Sequence, residues 1–212
     1  MSECALYLED VARAARAAGA HLDDVADLLY ATWLRGATVW LCGNGGSAAT
    51  ASHFAADLGK AALAPELTMF KVASLAERTS TITAIANDLS YDEIFSYQLK
   101  TLLASNDLLI CFSCSGNSRN IVCAIACAQQ HGVPVVVFTG SHGGVIALEL
   151  SVKHLVKVPS DDICVQEDVH LMMCHALARR VASMIANSPG SVRKLSSGLQ
   201  ATDARSLAGL PE

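Results

Sequence analysis

The sequence predicts an α/β fold, a single domain in which helices flank a five-stranded, doubly wound parallel sheet in three layers. Five short apolar runs, at 38–42, 68–72, 108–112, 133–138 and 152–156, recur between stretches of helical periodicity, the alternation expected of successive βαβ units. Hydrophobic residues make up 52% of the chain but aromatics only 5%. Ala, Val, Leu and Ile therefore do the filling, as in a sheet buried on both faces. A length of 212 residues fits one domain around one core, and no internal repeat or linker divides it.

Residues 5–35 are rich in Ala, Leu and Asp with helical spacing and read as two helices broken near Gly19. The first apolar run ends at Gly43-Asn44-Gly45-Gly46, and Ser47 is placed to cap an Ala-rich helix reaching about residue 63. Helical stretches follow at 79–103 and 118–131. A long final helix, about 165–187, stops at Ser188-Pro189-Gly190. The organisation expected is N-terminal helices over 1–35 packed on the domain, a core over 36–188 and a mobile tail over 189–212, where apolar periodicity fades.

A formal charge of −5 argues against nucleic acid or an anionic membrane as partner, because such surfaces call for basic protein. A small anion is still open to it through backbone N–H groups and hydroxyls. No apolar run approaches the ~20 residues that span a bilayer, and Met1-Ser2-Glu3-Cys4 opens no basic leader. A soluble, cytoplasmic protein is expected. Eight cysteines invite a metal reading, but Cys111 and Cys114 have no second pair at zinc-ribbon spacing, and Cys123 and Cys127 sit one turn apart among Ala and Ile. Buried free thiols account for them.

Two βα junctions carry small, hydroxyl-rich turns: Gly43-Asn44-Gly45-Gly46-Ser47 and Ser113-Cys114-Ser115-Gly116-Asn117-Ser118-Arg119. In open α/β sheets, ligands bind beyond the carboxyl ends of the strands, where helix N-termini offer unpaired N–H donors. Glycine permits close backbone approach and serine adds hydroxyl donors. Neither a Walker motif nor G-x-G-x-x-G is present. One such loop is as readily a tight turn; two on one sheet edge point to phosphate.

His53 and Asp57 lie four apart on one face of the helix after the first loop, about 10 Å from its start at 1.5 Å per residue. That distance suits the reacting end of an extended sugar phosphate, although the spacing alone equally describes a local hydrogen bond. In the final helix, His170 and His175 stand about 140° apart, so one serves a site and the other lies on the surface or in the core.

With these residues assembled, the chain resembles the phosphoheptose isomerase family of sugar-isomerase (SIS) domains, from about residue 36 to 185. The match runs through Gly43-Asn44-Gly45-Gly46-Ser47-Ala48-Ala49 with His53-Phe54-Ala55-Ala56, Thr83-Ala84-Ile85-Ala86-Asn87-Asp88 and Tyr91-Asp92-Glu93-Ile94-Phe95. It continues through the second loop and from Gln166-Glu167 to His175. The resemblance implies a SIS core over 36–188, N-terminal helices in an oligomer interface, and a homotetramer with sites between subunits. It implies phosphate held by Ser47, Ser113, Ser115 and Ser118, and sugar contacts from Asn44 and the region of Asn87 and Asp88, with Gly45, Cys114 and Gln166 also among the residues that bind substrate or its phosphate. Zinc, one per subunit, would take His53, Asp57, Glu167 and His175.

The chemistry implied is an aldose–ketose interconversion of a phosphorylated seven-carbon sugar through a cis-enediol, with Asp57 as base and His175 as acid/base. Two other functions exist among relatives: a non-catalytic tetrameric adaptor for a replication-initiator protein, and a sugar-phosphate sensor. Retention of His53, Asp57 and His175 favours the enzyme. Four departures from the family pattern stand out. Asp57 replaces Glu, Cys114 replaces Thr and Cys164 replaces Arg. Counting back eight from His175 gives Glu167 where the family has Gln, so Gln166 falls half a turn away. Eight helical residues rise about 12 Å, too far for Glu167 and His175 to share an ion on one straight helix. The ligand at this position must precede the helix or come from another subunit.

Overall fold

The computed structural model describes residues 2–19, 22–61 and 69–188. Helices α1 (Glu3–Ala18) and α2 (Leu22–Leu34) lead into β1 (Thr38–Gly43) and α3 (Gly46–Lys60). Then come β2 (Lys71–Ser74), α4 (Thr79–Asp88), α5 (Ser96–Leu102), β3 (Leu108–Ser113) and α6 (Arg119–Gln130). The chain closes with β4 (Val135–Thr139), α7 (Gly144–Glu149), β5 (His154–Lys157) and α8 (Ile163–Ala186). The five strands form one parallel sheet in the order β2-β1-β3-β4-β5.

Alternation along the central strands sorts side chains between two cores. Leu108, Ile110 and Phe112 join Phe54, Leu58, Val169 and Val181 under α1, α2, α3 and α8. Leu109 and Cys111 join Ile85, Leu99, Ile121 and Ile146 under α4 to α7. Both faces of β3 and β4 are buried along their whole length, which is why these strands read as unbroken apolar runs instead of alternating ones. The three-layer expectation holds, and α1 and α2 pack on α8.

Several boundaries move. The second strand runs Lys71–Ser74, later than the 68–72 expected, because pairing with Thr38–Leu41 of β1 fixes its register. The helix expected over 79–103 is two, split by a single turn at Tyr91–Glu93. There Gln98 Nε2 donates to the Leu75 and Ile94 carbonyls, drawing α5 in toward the end of β2. The break at Gly19 is as read. All eight cysteines are free, but Cys4 and Cys164 are exposed and Cys114 and Cys123 only half-buried, so burial explains four of them and not all. The expected tail, 189–212, lies outside the described residues.

Candidate active site

Strand order reverses between β1 and β3: the chain leaves β1 for β2 on one side, and leaves β3 for β4 on the other. This is the switch point at which open α/β sheets leave a crevice, and both hydroxyl-rich loops end there. Ser47 Oγ lies 3.9 Å from Cys114 Sγ, so the two loops meet.

The first loop enters α3 through Gly45, whose φ of 53° is a left-handed value open to glycine. Gly45, not Ser47, is the N-cap, and it makes no side-chain cap bond. Ser47 instead sits inside the first turn, 6% exposed, its hydroxyl turned toward the second loop. Ser118, the N-cap of α6, likewise makes no side-chain cap bond. By contrast Ser2 and Asp162 cap α1 and α8 with their side chains. The helices that open onto the crevice thus keep donors for an anion. Ser113 Oγ is buried without a hydrogen-bond partner, an arrangement a bound acceptor would relieve. Ser115 Oγ accepts from Asn117 N at 3.2 Å, which turns the loop back on itself. Burial pushes the Cys114 thiol up, and the Glu167 carboxylate pushes it further, so it stays a neutral thiol.

Asn44 shares reciprocal 2.9 Å hydrogen bonds with Asn120, and Tyr91 donates to its Oδ1 at 3.0 Å. Asn120 was not legible as a site residue: 76 positions separate it from its partner, and nothing in its local spacing marks it. Asn87 and Asp88 precede Tyr91 by a few residues, and their side chains turn to each other. Asn87 Nδ2 donates to Asp88 Oδ1 at 2.8 Å, and Asp88 lines a cavity between α4 and α5 with Ile85 and Tyr97.

Farther along α3, His53, Asp57 and His175 converge. His53 Nε2 lies 3.3 Å from Asp57 Oδ2, His175 Nε2 lies 3.5 Å from the same oxygen, and the two imidazole nitrogens are 3.0 Å apart. The local pair read from spacing is therefore real, and a third group from α8 makes it more than local. Zinc bonds of about 2.0–2.1 Å at tetrahedral angles separate ligand atoms by roughly 3.3–3.5 Å. One metal ion fits this donor set. Both imidazoles are half-exposed and Asp57 is 19% exposed, so the cluster is open on one side. Lys60 Nζ, 3.4 Å from Asp57 Oδ1, occupies the other carboxylate oxygen.

His170 takes the core alternative. It is buried on α8, its Nε2 lies 3.3 Å from the Thr139 carbonyl, and burial pushes its pKa down to about 4. Helix α8 runs unbroken through Ile163–Ala186, so Glu167 does not precede it and stays two turns from His175. Its carboxylate instead lies over Gly46, where a Cβ would collide with it. Together with Thr50 and His53 it lines a cavity of about 240 Å³. Gln166 points elsewhere, donating to the Ser160 carbonyl at 2.7 Å.

Comparison with known proteins identifies the family. Residues 6–140 match the model of the SIS domain family. A phosphoheptose isomerase of Alteromonas mediterranea is 39% identical over 158 residues, 74% of this chain and 79% of that protein. The structure of phosphoheptose isomerase GmhA from Neisseria gonorrhoeae aligns with a TM-score of 0.78 at 31% identity, covering 85% of this chain and 97% of the other. That of a phosphoheptose isomerase from Francisella tularensis aligns at 0.79 and 26%, covering 86% and 100%. With two hydroxyl-rich loops at the switch-point crevice and the His–Asp–His cluster in place, the chain belongs to the phosphoheptose isomerase family of SIS-domain proteins.

Proposed function

We propose that the protein is an aldose–ketose isomerase converting D-sedoheptulose 7-phosphate to D-glycero-D-manno-heptose 7-phosphate through an enediol. The observation that carries this reading is the convergence of His53, Asp57 and His175 beyond a phosphate crevice, at the far end of an extended sugar. Ser47, Ser113, Ser115 and Ser118, with the N-termini of α3 and α6, take the phosphate. Asn44, Gly45 and Cys114 face the sugar, and Gln166 would join them only by releasing the Ser160 carbonyl. Asp57 removes the proton beside the carbonyl, and His175 moves protons on the oxygens. Asp57 reaches about one methylene less than the Glu usual in the family, so either the backbone compensates, or the substrate sits differently, or turnover is weak.

Zinc would be held by His53, Asp57 and His175, with Glu167 supplied by a neighbouring subunit, because α8 keeps a chain's own Glu167 two turns from its own His175. Such an ion supplies charge stabilisation for the developing oxyanion. Asn87 and Asp88, a few residues before the Tyr91 that bonds Asn44, would contact the sugar. The proposal includes a homotetramer, with α1 and α2 in its interface, and a SIS core over 36–188. Among the described residues no helix is long and apolar enough to cross a membrane; the proposal places the protein in the cytoplasm, with neither nucleic acid nor membrane as partner.

The direct test incubates the purified protein with sedoheptulose 7-phosphate, with and without zinc, and follows the aldose product. Appearance of the heptose 7-phosphate supports the reading. Binding of the sugar phosphate without conversion would leave a sensor or adaptor in its place.

A further inference from the structure

Three hydrogen bonds leave the Asn44 side chain one way to act. Its Nδ2 donates to Asn120 Oδ1, Asn120 Nδ2 donates back to Asn44 Oδ1, and the Tyr91 hydroxyl donates to that same oxygen. An amide has two acceptor lone pairs and two N–H donors. Here both lone pairs and one hydrogen are used. The amide cannot turn over alone, since that would set nitrogen against nitrogen and oxygen against oxygen across the pair. Asn120 is 2% exposed on the first turn of α6, so packing holds its amide against that of Asn44, and the Tyr91 hydroxyl donates to the oxygen end. What remains on Asn44 is a single N–H.

We propose that Asn120 and Tyr91 are positioning residues of the isomerase site: they hold the Asn44 amide as a donor that cannot accept, and they tie the first phosphate loop to the helix that follows the second. The inference rests on the isomerase reading and adds to it. In an enediol mechanism, the oxygen that alternates between carbonyl and hydroxyl gathers negative charge, and a fixed donor stabilises that charge without reorganising. An amide free to flip would offer its own oxygen half the time and repel it.

The experiment is a set of cycles on the full chain. Tyr91→Phe and Asn120→Ala are measured alone and combined with Asn44→Ala, with kcat and KM read on sedoheptulose 7-phosphate. Each single variant is expected to lower kcat about tenfold, short of the ~10²-fold of a 1 Å misplacement, with KM little changed. Neither lowers kcat further once residue 44 is Ala, because both act through that amide. Losses that add to that of Asn44→Ala indicate a structural role for Asn120 and overturn the proposal, as does wild-type kcat in Tyr91→Phe. Tyr91 is exposed, so its variant decides the matter if Asn120→Ala does not fold. An active wild type with unaffected variants defeats the positioning role alone. If the wild type does not turn over, the isomerase reading has failed, and the same cycles are read in calorimetric affinity for sedoheptulose 7-phosphate. Additive losses there overturn the coupling, and non-additive losses uphold it.

Discussion

His175 brings its Nε2 within 3.0 Å of His53 Nε2, although 122 residues separate them. Two imidazole lone pairs so placed repel unless a proton or a cation lies between them, and Asp57 Oδ2 adds a third electron-rich atom at 3.3 and 3.5 Å. The three atoms are placed to hold one proton or one metal ion between them.

Metal content follows from this arrangement. The protein is expected to retain about one zinc per subunit. His53→Ala or His175→Ala should weaken zinc binding by more than the ~10–100-fold typical of losing a group behind a ligand. Elemental analysis after dialysis checks it. Glu167→Ala should reduce zinc content more than Gln166→Ala, whose amide is engaged with Ser160. The reverse order would show that Gln166 is the ligand and that the register argument is wrong.

Asp57→Asn keeps the side-chain shape but removes a base at neutral pH. Turnover should fall at least ~10²-fold, while affinity for sedoheptulose 7-phosphate and subunit assembly stay as in the wild type. His175→Asn should behave likewise. Full turnover in Asp57→Asn would remove the base from the mechanism and bring the adaptor reading forward.

The phosphate loops separate binding from folding. Ser47→Ala and Ser115→Ala each remove a donor to an ionised ligand and should weaken sugar-phosphate binding by ~1.5–3 kcal/mol. Ser113→Ala should weaken binding too. It should leave thermal stability unchanged or slightly raised, because the hydroxyl it removes is buried without a partner. Calorimetry and a melting curve on each variant test both halves, and unchanged affinity in all three would remove the phosphate from these loops.

His170 gives the fold a dependence on acid. Its pKa is about 4 when folded and 6.5 when unfolded. The unfolded chain therefore binds more protons between these values. Stability from this group is complete above pH 6.5, declines as pH falls through the window to about 4, and is then flat. The span is about 3 kcal/mol at most. His170→Gln, which keeps an N–H for the Thr139 carbonyl, should flatten denaturant midpoints across pH 4–6.5 relative to wild type.

Assembly is the last expectation. Light scattering should give a tetramer, and a stable, fully active monomer would refute a site shared between subunits.

Local chemistry was enough to read the parallel sheet, since β3 and β4 are buried on both faces and can be nothing but unbroken apolar runs. The two loops were legible for a similar reason: glycine and serine at a strand's end announce a backbone open to an anion. Spacing also put His53 and Asp57 on one helical face, and it showed that His170 and His175 cannot share a target. It could not say which histidine faces outward, because that depends on how α8 is rotated against α3 and the sheet. Packing decided it by burying His170 beside Thr139 and swinging His175 to His53. Packing likewise placed Gly45 at the helix cap in place of Ser47, set Glu167 over Gly46, and joined Asn44 to Asn120. Such pairings are made between elements, and a one-dimensional pattern carries the period of each element but not its rotation or register against the next.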